Sequence, residues 1–237
     1  MAAAKISEAE ARYSASASEI FAAAIQDYKR GVVVGQQTYG KGTVQNLYTL
    51  DQYVRRNQDE LGQLTLTIGK YYRVTGESTQ NRGVIPDIEL PSYIDIDNTG
   101  ESSRDTALPW DKIKPSKYKK NQPMEDSINQ LRELHTERRK TDPELIFLLK
   151  DIEESSSYRK QTTVSLNLNK RISERRAREE RKEAIDKIRI EANNNDEAQE
   201  ENEDRDINLN ETAAIATDLV KLYNSDSKSN QMAKRVE

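Results

Sequence analysis

Apolar positions change their spacing along the chain, and each change marks an element. Residues 14–28 (SASASEIFAAAIQDY) set serines ahead of Glu19, Ile20 and Phe21 and then an alanine-rich run. This pattern predicts a serine-capped helix of high intrinsic propensity. Gly31-Val-Val-Val-Gly35 is a short apolar run between glycines, the pattern of a buried strand in an α/β layer. Thr38–Gln45 (TYGKGTVQ) reads as a glycine-bearing loop leading into another strand. Residues 64–74 alternate Leu64, Leu66 and Ile68, then Tyr72 and Val74, which predicts a half-buried strand belonging to the core. Gly83-Val-Ile-Pro-Asp87 is an extended, turn-bounded segment.

From about residue 92 the texture changes. Residues 92–106 carry few apolar anchors and read as a linker, with Leu108-Pro-Trp-Asp111 as one anchoring cluster. Beyond residue 123 helix dominates: Leu145, Leu148, Leu149 and Ile152 share one helical face, started by Asp142 as N-cap and Pro143 in the first turn. Thr162–Leu168 alternates like a short strand. Residues 171–189 hold eight basic and five acidic side chains, a solvated helix. Residues 194–206 are acidic and Asn-rich, the composition of loop or disorder. Ile215, Leu219, Leu222 and Tyr223 mark a last amphipathic helix before a polar tail. The expected architecture is an α/β (α+β) core followed by a mostly helical C-terminal domain. Its segments are 1–11 (an atypical start), 12–91 (the core), 92–115 (the linker) and 116–237 (the charged helical domain).

Composition narrows the function classes. Of 237 residues, 34% are hydrophobic and 33% charged, against roughly 45–50% and 25% in ordinary globular chains. A modest core with much solvated helix follows. A net charge of −4 argues against a partner bound through nucleic-acid phosphates. With no cysteine, thiol catalysis, disulfides and thiolate metal sites are excluded. The carboxylates fall in no recognisable metal-ligand spacing, so neither metal nor cofactor is expected. Met1–Lys5 lacks the basic and apolar regions of a signal peptide, and no apolar run approaches the roughly 20 residues of a membrane helix, so no membrane insertion is expected.

Serine chemistry needs a base, and the only histidine, His135, sits in a charged helical stretch (ELHTERRK) that reads as surface. A lysine can serve, but only in its neutral form, which calls for burial or a nearby positive potential. Lys41 lies between Gly40 and Gly42 beside the triple-valine strand. Ser16 lies at the start of a helix, where backbone N–H groups face an incoming anion. A neutral lysine there could take the hydroxyl proton during attack on a peptide carbonyl and return it to the leaving amine. By residue type alone a serine in this place is more often a cap, and a lysine in a Gly-Lys-Gly turn is more often solvated.

Tyr13–Phe21 (YSASASEIF), then Gly31–Gly35, then Thr38–Gln45 (TYGKGTVQ) together resemble the active-site stretch of the C-terminal processing, or tail-specific, serine peptidases. The resemblance implies Ser16 as nucleophile, Lys41 as base 25 residues later, and Gln45 orienting that lysine. It implies the backbone N–H of Ala17 as one oxyanion donor. Asp27, eleven residues after Ser16, matches an aspartate of one subgroup, with a structural pairing the better assignment. Similarity continues through Tyr72–Pro91 and Ala107–Ile113, the latter suggesting the larger subgroup with a helical C-terminal domain. Arg82-Gly83 and Pro86-Asp87 are expected to shape the substrate cradle.

That resemblance implies an endopeptidase acting in the bacterial periplasm on proteins with exposed apolar C-terminal tails, with an adaptor lipoprotein as a further partner. It also implies a preceding peptide-tail-binding PDZ domain and a glycine-rich oxyanion segment. Only 15 residues precede Ser16, and Met1–Ala11 reads as foreign or drifted sequence, or as the artificial start of a partial reading frame, so this chain is expected to be inactive or very weak by itself. Two alternatives stand beside the peptidase: a helical docking module formed by residues 116–237, and a remnant without function.

Overall fold

The computed structural model describes residues 11–53, 61–120, 124–193 and 206–233. The atypical start and the acidic stretch at 194–206 lie, except for Ala11 and Asp206, outside the described residues. Contacts divide the chain into one unit of Met1–Leu90 with Ile94–Ile128, and another of Pro91–Tyr93 with Asn129–Glu237. This is a mixed α/β core followed by helices, as the patterning predicts.

In the first unit, α1 spans Ala17–Asp27 and buries Ala22 and Ala23 against Val33 and Val84, with Ile25 packed beside them. Small alanines let the helix approach the valine segment closely, which explains the alanine-rich face. Strand β1 is only Val34–Gly35, paired in parallel with β4, Ile88–Glu89. Val32, Val33 and Val34 are nonetheless all buried. Strand β2, Thr43–Thr49, pairs antiparallel with β3, Gln63–Lys70, with an irregularity between Val44 and Gln45.

The hairpin corrects one expectation. Leu64, Leu66 and Ile68 alternate as read, but they are 48%, 48% and 52% exposed, so β3 is not half-buried core. Alternation determines which side chains share a face of a strand; burial also needs a second layer, and none covers this ribbon among the described residues. Residues 94–115, most of the expected linker 92–115, belong to this unit. Trp110 donates from Nε1 to the Ser78 carbonyl (2.8 Å). Asp111 accepts from Lys70 Nζ (2.7 Å) and from the Tyr72 hydroxyl (2.9 Å).

The helices are α2 (Glu125–Thr141), α3 (Pro143–Arg159), α4 (Leu168–Asn193) and α5 (Ile207–Ala233). Asp142 caps α3, accepting from the amides of Glu144 (2.8 Å) and Leu145 (3.2 Å). Leu145, Leu148 and Ile207 form the core of the second unit, with Ile152 against it. A second expectation fails here. Residues 162–167 form no strand, because no neighbouring strand is present in this unit among the described residues; Leu166 is 98% exposed. The last helix, marked by Ile215, Leu219, Leu222 and Tyr223, runs through Ala233.

His135 is a third correction: it is buried, 4% exposed, not on the surface. Its Nδ1 lies 2.7 Å from Glu211 Oε1, and Arg138 binds the same carboxylate and reaches Asp218 at 2.5 Å. A charged helix sequence hides this, because the partner is 76 residues away. Burial by itself would raise the Glu211 pKa, but the bonds from His135 and Arg138 outweigh it and hold the carboxyl below its usual value. A carboxylate with a depressed folded-state pKa stabilises above its unfolded value, about 4.3, and loses that contribution as pH falls through the lower folded value. Denaturant unfolding should therefore show the helical unit weakening below about pH 4.3. Glu211→Ala should flatten that dependence and cost about 3 kcal/mol at neutral pH, the low end for a broken buried pair because Asp218 still faces Arg138.

Candidate active site

Ser16 occupies the N-cap of α1 with φ 58° and ψ −109°. A non-glycine residue in this region is strained by roughly 1–3 kcal/mol, and such strain persists only where the surroundings impose it. The conformation turns the chain sharply into the helix and leaves the serine half-buried at the positive end of the helix dipole. Ala17, the first residue of α1, follows with its backbone N–H among the donors that a helix start leaves without an intrahelical partner.

One side chain imposes that turn. Glu19 is fully buried, and its two oxygens accept four hydrogen bonds. Oε2 takes the Ser16 amide (2.8 Å) and the Lys41 amide (2.9 Å). Oε1 takes the Gly40 amide (2.6 Å) and the Thr38 hydroxyl (2.5 Å). Thr38 in turn accepts from the Val84 amide (2.7 Å), and the Tyr39 amide donates to the Ser14 carbonyl (2.9 Å). The serine turn and the lysine loop therefore hang on one carboxylate, though 25 residues separate Ser16 from Lys41.

The loop glycines are needed for this approach. Gly40 has φ +94°, and a Cβ there would lie 2.9 Å from the Asn81 carbonyl carbon; a Cβ on Gly42 would lie 2.7 Å from the Gln80 amide nitrogen. Gln80, fully buried, accepts the Gly42 amide at 2.9 Å and holds the far side of the loop. Lys41 itself is half-buried, and among the described residues no ion pair engages its ammonium.

The remaining sequence candidates make no hydrogen bond to Glu19 among the described residues. Gln45 is exposed on β2 and donates to Thr67 Oγ1 on β3 (3.3 Å). Asp27 ends α1, about 16 Å along the helix from Ser16 at 1.5 Å per residue, and Arg73 grips it from two nitrogens at 2.5 and 3.1 Å. Arg82 stacks over the Trp110 ring, 3.8 Å from its centre. The Gly83 amide donates to the Thr79 carbonyl, and Asp87 accepts from the Val33 amide. Sequence reading missed Glu19, Thr38 and Gln80. Glu19 had a local signal, since Ser16-x-x-Glu19 is the spacing of a capping box; Thr38 and Gln80 had none. Among the described residues no cluster of potential metal ligands occurs, and no helix is long and apolar enough to cross a membrane.

Comparison with known proteins identifies the family. Residues 11–90 match Peptidase family S41, a class of serine-type peptidases. Residues 94–221 match the C-terminal domain of tail specific protease. The chain belongs to the tail-specific protease family. It is 40% identical over 236 residues to the tail-specific protease of Haemophilus influenzae, covering 93% of this chain and 33% of that protein. A carboxy-terminal-processing protease of Bartonella bacilliformis is 45% identical over 75 residues, covering 32% of this chain and 15% of the relative. The chloroplastic carboxyl-terminal-processing peptidase 2 of Arabidopsis thaliana is 40% identical over 78 residues, covering 33% and 14%. The chain thus spans a third or less of the length of these relatives.

Proposed function

We propose that this chain carries the nucleophile and base of a serine endopeptidase that cleaves proteins recognised by apolar C-terminal tails. Ser16 attacks the scissile carbonyl, Lys41 takes its proton and passes it to the leaving amine, and the Ala17 N–H stabilises the oxyanion. Gln45 is a candidate to orient the lysine, and Asp27 holds the fold through Arg73. The observation that carries this reading is the strained Ser16 turn fastened to the Lys41 loop by Glu19. The tail preference, a periplasmic site of action and an adaptor lipoprotein come from kinship alone and belong to the proposal.

Because the chain covers a third of the Haemophilus influenzae relative, its competence is best read in two forms. One is the chain alone; the other is the chain grafted in place of the matching third of that relative. The substrate is an unstructured reporter protein ending in an apolar tail, beside the same protein ending in aspartates. The proposal expects the graft to cleave the apolar-tailed reporter at least tenfold faster, a discrimination worth about 1.4 kcal/mol, and the chain alone to be weak or inactive. Equal cleavage of both tails would remove the tail preference. A graft that folds and cleaves neither would remove the peptidase assignment for these residues.

A further inference from the structure

Arg12 has no part in the chemistry above, yet among the described residues it heads the large side chains that are fully buried. Its guanidinium donates only to backbone carbonyls. Nη1 reaches those of Gln37 (3.3 Å) and Thr38 (2.5 Å), at the entrance to the lysine loop. Nη2 reaches those of Ile96 (3.0 Å) and Thr99. Ile96 and Thr99 fall at the beginning of the region matching the C-terminal domain of tail specific protease. The same segment touches the loop again at Tyr39: the Glu101 amide donates to the Tyr39 carbonyl (2.9 Å), and Arg104 Nε donates to the Tyr39 hydroxyl (2.9 Å). Residues 96–104 thus form a strap over Tyr39, two positions before Lys41, and Arg12 rivets it four positions before Ser16.

A buried cation held by carbonyls is costly unless its geometry is well matched. A planar guanidinium can serve two carbonyls at each end at once, whereas a lysine ammonium is a single point on a flexible stem. A purely structural rivet could sit anywhere in the unit. This one joins three segments, and two of them are the nucleophile turn and the base loop.

We propose that Arg12 is a positioning residue: it fixes the strap 96–104 to the loop of Lys41, so that the opening segment of the C-terminal domain sets where the base stands relative to Ser16. The proposal rests on the assignment of Ser16 and Lys41 as the reacting pair. It places part of the active-site support in the region that matches the C-terminal domain of tail specific protease.

The test uses the full chain carrying Arg12→Lys, Arg12→Met or Gly100→Ala. The last disturbs the strap without removing the arginine, since a Cβ on Gly100 (φ +125°) would lie 2.5 Å from Arg12 Nη2 and 2.8 Å from the Tyr39 carbonyl oxygen. Two readouts are taken: hydrogen exchange of the Gly40 and Lys41 amides, and the pH profile of Ser16 labelling by a fluorophosphonate. Exchange at these amides should rise about tenfold in Arg12→Lys and Gly100→Ala while α3 and α5 keep their protection. Labelling at neutral pH should fall about tenfold in both, with its rise displaced to higher pH, as a misplaced base implies. Unchanged exchange at Gly40 and Lys41 in both variants overturns the proposal. So does full rescue by Arg12→Lys, which would mean that any buried cation suffices. If the unaltered chain is never labelled, the Ser16–Lys41 assignment fails for it, whereas the exchange result still decides whether Arg12 and the strap position the loop.

Discussion

Cleavage by the grafted peptidase falls roughly 10⁴–10⁶-fold when Ser16 is replaced by alanine, the range seen when a nucleophile is removed from a triad-type site. Lys41→Ala is expected to match it, because a serine hydroxyl without a base is a poor nucleophile at neutral pH. Lys41→Arg is the sharper variant. It keeps the positive charge and much of the length, but a guanidinium stays protonated at any working pH and cannot accept the proton. If charge alone were required, the arginine form would retain activity; with lysine as base it is as inactive as alanine. The double variant Ser16→Ala with Lys41→Ala should be no worse than either single one, since residues acting as one unit lose their joint effect once. Turnover of the apolar-tailed reporter measures all four. Retention of more than about a tenth of the activity in Lys41→Arg, a loss of under 1.4 kcal/mol, would rule out the lysine as base.

Glu19→Ala is expected to cost about 3–5 kcal/mol in denaturant unfolding, near the top of the range for a single substitution. Four donors lose their acceptor at once: the amides of Ser16, Gly40 and Lys41 and the Thr38 hydroxyl. Each buried donor left unpaired costs on the order of 1–3 kcal/mol, and relaxation of the loop recovers part of the sum. Glu19→Gln separates the two jobs of this side chain. The amide fills the same volume, but its NH₂ faces two donors where an oxygen stood. The glutamine form should therefore fold, with a loss of about 2 kcal/mol. Ser16 labelling should nevertheless drop at least a hundredfold, because a shift of about 1 Å between nucleophile and base costs that much. Wild-type labelling in a folded Glu19→Gln protein would show that the carboxylate serves stability alone.

Most of the local structure was legible because it depends on neighbours in sequence. The Ser-rich start and alanine run of α1, the Asp142-Pro143 start of α3 and the charge-laced α4 all follow from capping, propensity and periodicity. The candidate pair was legible through the serine and lysine motifs and their spacing, which the family match supports as kinship rather than as a measured role. The alternation of Thr162–Leu168 misled, since a strand exists only by pairing. The exposed β3 misled in the complementary way: its pairing was real, but nothing among the described residues covers this ribbon.

Determined by the sequence alone were the two-part architecture, the helix starts set by caps, and the exclusion of thiol chemistry by the lack of cysteine; the reacting pair it offers is a proposal. Only the tertiary structure decided that Ser16 is strained, that Glu19 ties its turn to the Lys41 loop, that His135 is buried on Glu211, and that Arg12 rivets residues 96–104 to that loop. The physical reason is the same in each case. A cap or a periodic face is satisfied within a turn or two of chain, whereas these buried groups find their other partners across 19–87 residues, and only folding brings those partners within hydrogen-bond reach.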